Sequence, residues 1–330
     1  MRALPHPVGI IGTGSYVPPR VLTNSDLEKM VDTSDEWIRT RTGISERRIA
    51  DPGVATSDLA LPSARAALES AGLPPTAVPL IVVATITPDM QFPCTASLLQ
   101  HALGARGAAA FDLAVGCTGF VYALAVAGSM VASGRYRQAL VTGADTLSTI
   151  TDWEDRRTCV LFGDGAGSVV LGPVEGDRGI LSYCLGNEGE GQEFLTLPGG
   201  GSRHPATLDT VQNRLHYLKM NGGEVFKFAV RAMVDSCEQA VREAGLELAD
   251  IDYAIPHQAN MRIVDAAAKR LQIPPERLAR NGERYGNTSA ATIPLALDEA
   301  ARGGLLRPGQ NLLLSSFGAG LSWGSMVVRW

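Results

Sequence analysis

Two segments of this 330-residue chain, far apart in sequence, read alike. Leu68 to Val82 (LESAGLPPTAVPLIV) and Val241 to Ile255 (VREAGLELADIDYAI) carry Ala-Gly-Leu at the same offset, and Val78, Leu80 and Val82 match Ile251, Tyr253 and Ile255. Each segment predicts a helix stopped by a glycine, Gly72 or Gly245, followed by a turn and a buried strand. A second pair follows. Cys117-Thr118-Gly119 opens a helical pattern that ends at Gly134, and Asn287-Thr288-Ser289 opens one of equal length that ends at Gly304. A third pair, Gly167-Ser168-Val169-Val170 and Gly324-Ser325-Met326-Val327, closes the series. Three matches in one order predict a duplicated α/β unit, with halves at 1–175 and 176–330.

The apolar runs fit that class. Leu80 to Ile86, Ala139 to Thr142, Ser168 to Leu171, Tyr253 to Ile255, Asn311 to Leu314 and Ser325 to Val328 lack strict alternation, the habit of strands covered on both faces. With 45% hydrophobic residues the chain can bury a large core, and its net charge of −5 argues against nucleic acid as a partner. Five scattered cysteines, Cys94, Cys117, Cys159, Cys184 and Cys237, form no CxxC pair, so neither a zinc site nor a disulfide framework is expected. Pro5 and Pro7 interrupt the start before any signal-peptide core, and no run approaches the roughly 20 apolar residues that span a bilayer. The expectation is a cytoplasmic protein without membrane insertion.

If the halves pack about a pseudo-twofold axis, the helix starts at Cys117 and Asn287 converge, together with the loop Pro256-His257-Gln258-Ala259-Asn260 that follows a predicted central strand. Cys, His and Asn would then meet although 140 and 30 positions separate them. A cysteine at a helix N-terminus gains thiolate character and backbone N–H groups for an oxyanion; a buried packing cysteine is the alternative. His257 stands where open α/β sheets place their sites, or is simply a loop histidine. Asn287 reads as an N-cap, or as an amide that donates to a thioester carbonyl. Gly318-Ala319-Gly320 offers a tight turn whose N–H groups could complete an oxyanion hole. The segment Gly9-Ile10-Ile11-Gly12-Thr13-Gly14 lacks the third glycine of a dinucleotide fingerprint, so no nicotinamide cofactor is expected.

Cys117, His257 in PHQAN and Asn287 in GNTSAA resemble the Cys-His-Asn triad of thiolase-like condensing enzymes. IGTGSYVP (Ile11 to Pro18), DTSDEWIRTRTGI (Asp32 to Ile44), FGDGAG (Phe162 to Gly167) and WGS (Trp323 to Ser325) are similar to the beta-ketoacyl-acyl carrier protein synthase III family, and the likeness spans almost the whole chain. The resemblance implies a thiolase-like fold in five layers, α-β-α-β-α. It also implies an acyltransferase that takes an acyl group from acyl-CoA onto Cys117 and condenses it with malonyl-acyl carrier protein, starting fatty acid biosynthesis. No cofactor or metal is implied. His257 and Asn287 would donate to the thioester oxygen, and the backbone of Cys117 and Ala319 would form the oxyanion hole. Thr33, Trp37, Arg41, Arg156, Gly222, Phe226 and Asn260 would bind CoA, with adenine between Trp37 and Arg156. Lys227, Arg262, Lys269 and Arg270 would dock the acidic carrier protein. Ile86, Phe92, Leu147 and Phe162 would line the acyl pocket, Phe92 from the partner of a homodimer. This chain departs from the family at Val115-Gly116, where two alanines are usual, at Thr118, where Ala or Ser is usual, and at Ala319, where glycine is common. A specialised secondary-metabolite synthase, an acyl-thioester hydrolase and a non-catalytic carrier-protein binder are the competing readings.

Overall fold

The structure, a computed structural model, describes residues 4–330. Five strands, β1 (Val8–Tyr16), β2 (Leu80–Ala84), β3 (Ala109–Leu113), β4 (Ala139–Asp145) and β5 (Gly165–Pro173), form one sheet in the order β1-β5-β4-β2-β3. Four more, β6 (Gly179–Asn187), β7 (Tyr253–Pro256), β8 (Asn311–Gly318) and β9 (Ser322–Arg329), form a second in the order β7-β8-β9-β6. The second sheet repeats the first: β1, β2, β4 and β5 correspond to β6, β7, β8 and β9, with the same parallel and antiparallel pairings. Only β3 has no counterpart.

The principal helices are α1 (Asp35–Thr42), α2 (Thr56–Ser70), α3 (Thr95–Leu103), α4 (Gly119–Ala132), α5 (Gly222–Glu243), α6 (Met261–Arg270) and α7 (Thr292–Arg302). Strand pleating sorts the core into layers. In β2, Leu80 and Val82 face one cluster with residues of α4, α7 and the second sheet, whereas Ile81 and Val83 face another with α2 and α3. Beyond the second sheet, Leu313 and Val327 pack with Cys237, Val241, Val264 and Ala268 of α5 and α6. The result is the five-layered α-β-α-β-α arrangement of a thiolase-like fold, with α4 and α7 sandwiched between the sheets. Gly72, Gly134, Gly245 and Gly304, the predicted stops, all take left-handed φ values between 66° and 77° just beyond a helix.

Sequence reading missed two strands of the sheets and one roof. β1 contains the Gly9 to Gly14 run: a Cβ on Gly14 would lie 2.3 Å from the backbone N of Ala67, so the glycines there let α2 approach the sheet. β6 is absent from the predicted strands, whereas β3 is the strand side of the strand-to-helix turn that Phe111 to Phe120 predicts around Cys117. The glycine-rich connection after β6 contains a short ribbon, Leu195–Thr196 paired with Lys219–Met220, which covers the site described next.

Candidate active site

Cys117 lies in a single turn, Gly116–Thr118, that feeds directly into α4. The other half of the chain holds this turn. Ser316 Oγ donates to the Cys117 carbonyl at 2.8 Å, and the Thr118 and Ser322 hydroxyls lie 2.7 Å apart. Gly318 is obligatory: a Cβ there would stand 2.8 Å from the Cys117 backbone N. The departures at 116 and 319 are neighbours in space. Gly116 has φ +54°, and a Cβ on it would meet the Ala319 N at 3.2 Å and the Ala319 Cβ at 3.4 Å. The tighter of these contacts is with the backbone, so glycine at 116 suits both its own φ and the close approach of the turn at 319. Burial pushes the Cys117 thiol up to about 12, with the Asp145 charge adding to the rise and Ser289 opposing it.

His257 follows β7, anchored by its backbone N–H to the Ser315 carbonyl at 2.7 Å. Its ring is 1% exposed, stands edge-on to Phe317 at 5.5 Å, and neither nitrogen has a hydrogen-bond partner among the described residues. Burial lowers its pKa to about 3, so it is a neutral imidazole with one N–H to donate. Asn287 is held by its backbone N–H to the Leu161 carbonyl at 2.8 Å. It is not the N-cap that its sequence context suggests. A turn, Ser289–Ala291, intervenes before α7, and the Asn287 Oδ1 accepts from the Ser289 N–H at 2.9 Å. That bond fixes the amide's oxygen and turns its Nδ2 into the free donor.

Two cavities meet at Cys117. One, of about 250 Å³, is lined by Ile86, Leu147, Phe162, Leu195, Leu218 and Ser289, with Gly116 and Ala319 at its Cys117 end. The other, of about 90 Å³, runs past His257, Asn287, Phe317 and Gly318 to Gly222, Phe226 and Asn260. An apolar chamber on one side of a buried thiol and a polar-ended passage on the other suit a thioester whose acyl tail and carrier must point in different directions. Among the described residues no group of three or more His, Cys, Asp or Glu side chains could hold a metal ion, and no helix is long and apolar enough to cross a membrane.

Sequence reasoning missed Asp145 and Ser289. Asp145 ends β4, fully buried, and accepts from the Thr85 hydroxyl at 2.9 Å, the Ile86 N–H at 2.8 Å and the Ala290 N–H at 3.2 Å. Its pKa is raised by burial against those hydrogen bonds. Ser289 adopts φ +51°, and its buried hydroxyl meets no partner in good hydrogen-bond geometry, although it lies near enough to the thiol and to Asp145 to favour the anion of each. A carboxylate closing an otherwise apolar strand (ALVTGAD) was the available signal.

Residues 111–189 match the family described as 3-oxoacyl-[acyl-carrier-protein (ACP)] synthase III, and residues 241–330 match its C-terminal part. A beta-ketoacyl-[acyl-carrier-protein] synthase III of Symbiobacterium thermophilum is 57% identical over 324 residues, covering 98% of both chains. The solved beta-ketoacyl-[acyl carrier protein] synthase III of Thermus thermophilus superposes with a TM-score of 0.92 at 48% identity, covering 98% of this chain and 99% of that one. The priming beta-ketosynthase of the R1128 polyketide biosynthetic pathway superposes equally well, TM-score 0.92, at 36% identity over 98% of this chain and 96% of that one. The chain belongs to the 3-oxoacyl-[acyl-carrier-protein] synthase III family. It is an acyl-transferring condensing enzyme of thiolase-like fold.

Several positions that the family resemblance assigns take on a different local character in this synthase. The Arg156 guanidinium lies on the Trp37 ring, 4.8 Å from its centroid, and pairs with Asp32 at 3.0 Å. The two groups are in direct contact, which leaves no space for a third plane between them. Asn260 caps α6: its Oδ1 accepts from the Arg262 N–H at 2.9 Å and its Nδ2 donates to the Arg41 carbonyl at 3.1 Å. That side chain ties α6 to α1. The Thr33 hydroxyl is buried without a partner, and the Arg41 side chain is exposed. Arg262 sits over Phe226 at 5.7 Å, Lys227 pairs with Glu224 at 2.8 Å, and Lys269 and Arg270 are exposed on α6. Phe92 does not line its own chain's acyl cavity. It is 84% exposed on the surface.

Proposed function

We propose that this synthase joins an acyl-CoA primer to malonyl-acyl carrier protein with loss of CO2, the opening condensation of fatty acid synthesis, as a cytoplasmic homodimer. The observation that carries the reading is the pair of unused donors, the His257 ring and the Asn287 Nδ2, held beside a buried cysteine where two cavities join.

In the first step the Cys117 sulfur attacks the acyl-CoA carbonyl. The carbon–sulfur bond to CoA breaks, CoA leaves as its thiol with the proton that Cys117 loses, and the acyl chain lies in the larger cavity. The turn into α4 supports this: N–H groups at a helix start favour negative charge on the attacking sulfur, offsetting the burial that otherwise keeps it protonated. The backbone N–H groups of Cys117 and Ala319 hold the oxyanion. In the second step malonyl-carrier protein enters through the smaller passage. Its carboxylate leaves as CO2, the electron pair moves into the thioester as an enolate, and His257 and Asn287 donate to the enolate oxygen. A neutral imidazole serves here, because it donates without bringing a charge that burial would penalise. The enolate carbon then attacks the acyl-cysteine, forming the carbon–carbon bond and releasing the Cys117 thiolate, which takes up a proton.

Thr33, Trp37, Arg41 and Arg156 form the CoA entrance, with Gly222, Phe226 and Asn260 along the passage. Lys227, Arg262, Lys269 and Arg270 supply positive charge for an acidic carrier protein although the whole chain is acidic. The test is incubation with acyl-CoA primers and malonyl-carrier protein. One CO2 and one beta-ketoacyl product per cycle are expected; no CO2 with any primer overturns the reading. The likeness to a polyketide priming synthase favours a second reading, in which the same chemistry serves a specialised product. Faster condensation with malonyl-CoA than with malonyl-carrier protein would favour it.

A further inference from the structure

The acyl cavity ends, beside Cys117, in a polar group that neither step above employs. Ser289 is 2% exposed and lines the same cavity as Cys117. Its backbone is heavily committed. It holds φ +51°, a conformation that costs a residue with a side chain free energy, its N–H fixes the Asn287 Oδ1 at 2.9 Å, and the next N–H, of Ala290, reaches Asp145 Oδ2 at 3.2 Å. Its hydroxyl, by contrast, is buried and makes no hydrogen bond of good geometry. Leaving a buried hydroxyl idle costs stability, so the site is poised for a group whose hydrogen-bonding need changes.

Two groups lie on its side of the site: the Cys117 sulfur, which shares the cavity, and the Asp145 carboxylate, which the neighbouring Ala290 N–H reaches. Asp145 is already supplied, by the Thr85 and Thr87 hydroxyls and by the N–H groups of Ile86, Thr87 and Ala290. The other unused donors that share a cavity with Cys117, those of His257 and Asn287, serve the thioester oxygen in the second step, which leaves the Ser289 hydroxyl for the sulfur. We propose that the Ser289 hydroxyl donates to the Cys117 sulfur whenever that sulfur is anionic, first as it attacks the incoming thioester and again as it departs when the carbon–carbon bond forms. Rotation about the Ser289 Cα–Cβ bond lets the O–H turn toward the sulfur, where it counters the Asp145 charge that opposes the thiolate. The donor is in place before the charge develops, so it needs no reorganisation at the moment of reaction.

The inference rests on Cys117 as the nucleophile, and its test separates the two. Ser289→Ala and Ser289→Gly both remove the hydroxyl and keep both backbone N–H bonds; glycine in addition relieves the positive φ. The readouts are the rate of Cys117 acylation by acyl-CoA, the pH profile of its alkylation by iodoacetamide, and malonyl-carrier protein decarboxylation in a Cys117→Ala background with and without the Ser289 change. Both variants are expected to acylate about tenfold or more slowly, as the loss of a hydrogen bond to a charged group implies. Alkylation is expected to move to higher pH, and decarboxylation to keep its rate. Unchanged acylation and alkylation overturn the proposal. So does a fall in decarboxylation equal to the fall in acylation, which would make Ser289 a support for Asn287, and so does a slow alanine variant beside a normal glycine variant, which would assign the effect to strain. If the parent protein takes no acyl group on Cys117, the nucleophile assignment itself fails.

Discussion

Asn287 shows how one side chain can be read two ways until its partners are known. As an N-cap it would lend its oxygen to a helix; here its oxygen is taken by the Ser289 N–H, and the amide hydrogens are what remain. Asn287→Ala should therefore spare acylation of Cys117 and slow decarboxylation by about 100-fold to 1,000-fold, the usual effect of removing one preorganised donor. Single-turnover assays of each half-reaction separate the two; equal survival of both steps would leave Asn287 a purely structural residue. His257 makes a pH prediction. Burial moves its pKa down to about 3, so the ring stays neutral and keeps a single N–H throughout the working range. Decarboxylation by Cys117→Ala should show no histidine transition between about pH 5.5 and 8, where an ordinary histidine titrates near 6.5. An acid limb centred there would contradict a neutral donor. The proposed set of Cys117, His257 and Asn287 stands out in the sequence because rare residue types fall at repeated positions or at a predicted strand end. Ser289 does not, because a serine two positions after an asparagine is common, and Asp145 is signalled only by its place at the end of the apolar run ALVTGAD; the meeting of the two halves gives both their neighbours.

At the level of elements, the helix stops and most buried strands were foreseeable, since αL glycines and unbroken apolar runs leave few alternatives for the chain. The missed strands were those whose composition disguises them. β1 is rich in glycine because α2 lies against it, and β3, legible only as the lead into the Cys117 turn, has its apolar run broken by Asp112, whose carboxylate receives the N–H groups of Thr95 and Ala96 at the start of α3. The roof over the acyl cavity was invisible for a similar reason, its ribbon strands being two residues each. The turn between β8 and β9 carries a prediction of its own. Gly318→Ala would place a methyl 2.8 Å from the Cys117 N, against backbone that has nowhere to retreat. The variant should lose acylation by at least about 100-fold, because a displacement of about 1 Å at a reacting group has that effect. A rate within threefold of the parent would show that the turn can yield.

For the molecule as a whole, duplication explains both the layers and the site: α4 and α7 start at equivalent points of the two units, so a thiol from one and an amide from the other face a common centre. What a single chain leaves open is Phe92, a large apolar side chain 84% exposed beside Met90, which is 47% exposed. A dimer accounts for that exposure. The protein should sediment at twice the chain mass, and Phe92→Ser should weaken the dimer and alter the ranking of primers; a parent that sediments as a monomer would contradict this. The central claim, a condensing site in which Cys117 carries the acyl group, is tested most directly by intact-mass spectrometry with peptide mapping after exposure to acyl-CoAs of graded length and branching. The account predicts one acyl group per chain, on Cys117, and none on Cys117→Ala. Acylation at another residue, or equal acylation of the variant, would contradict it.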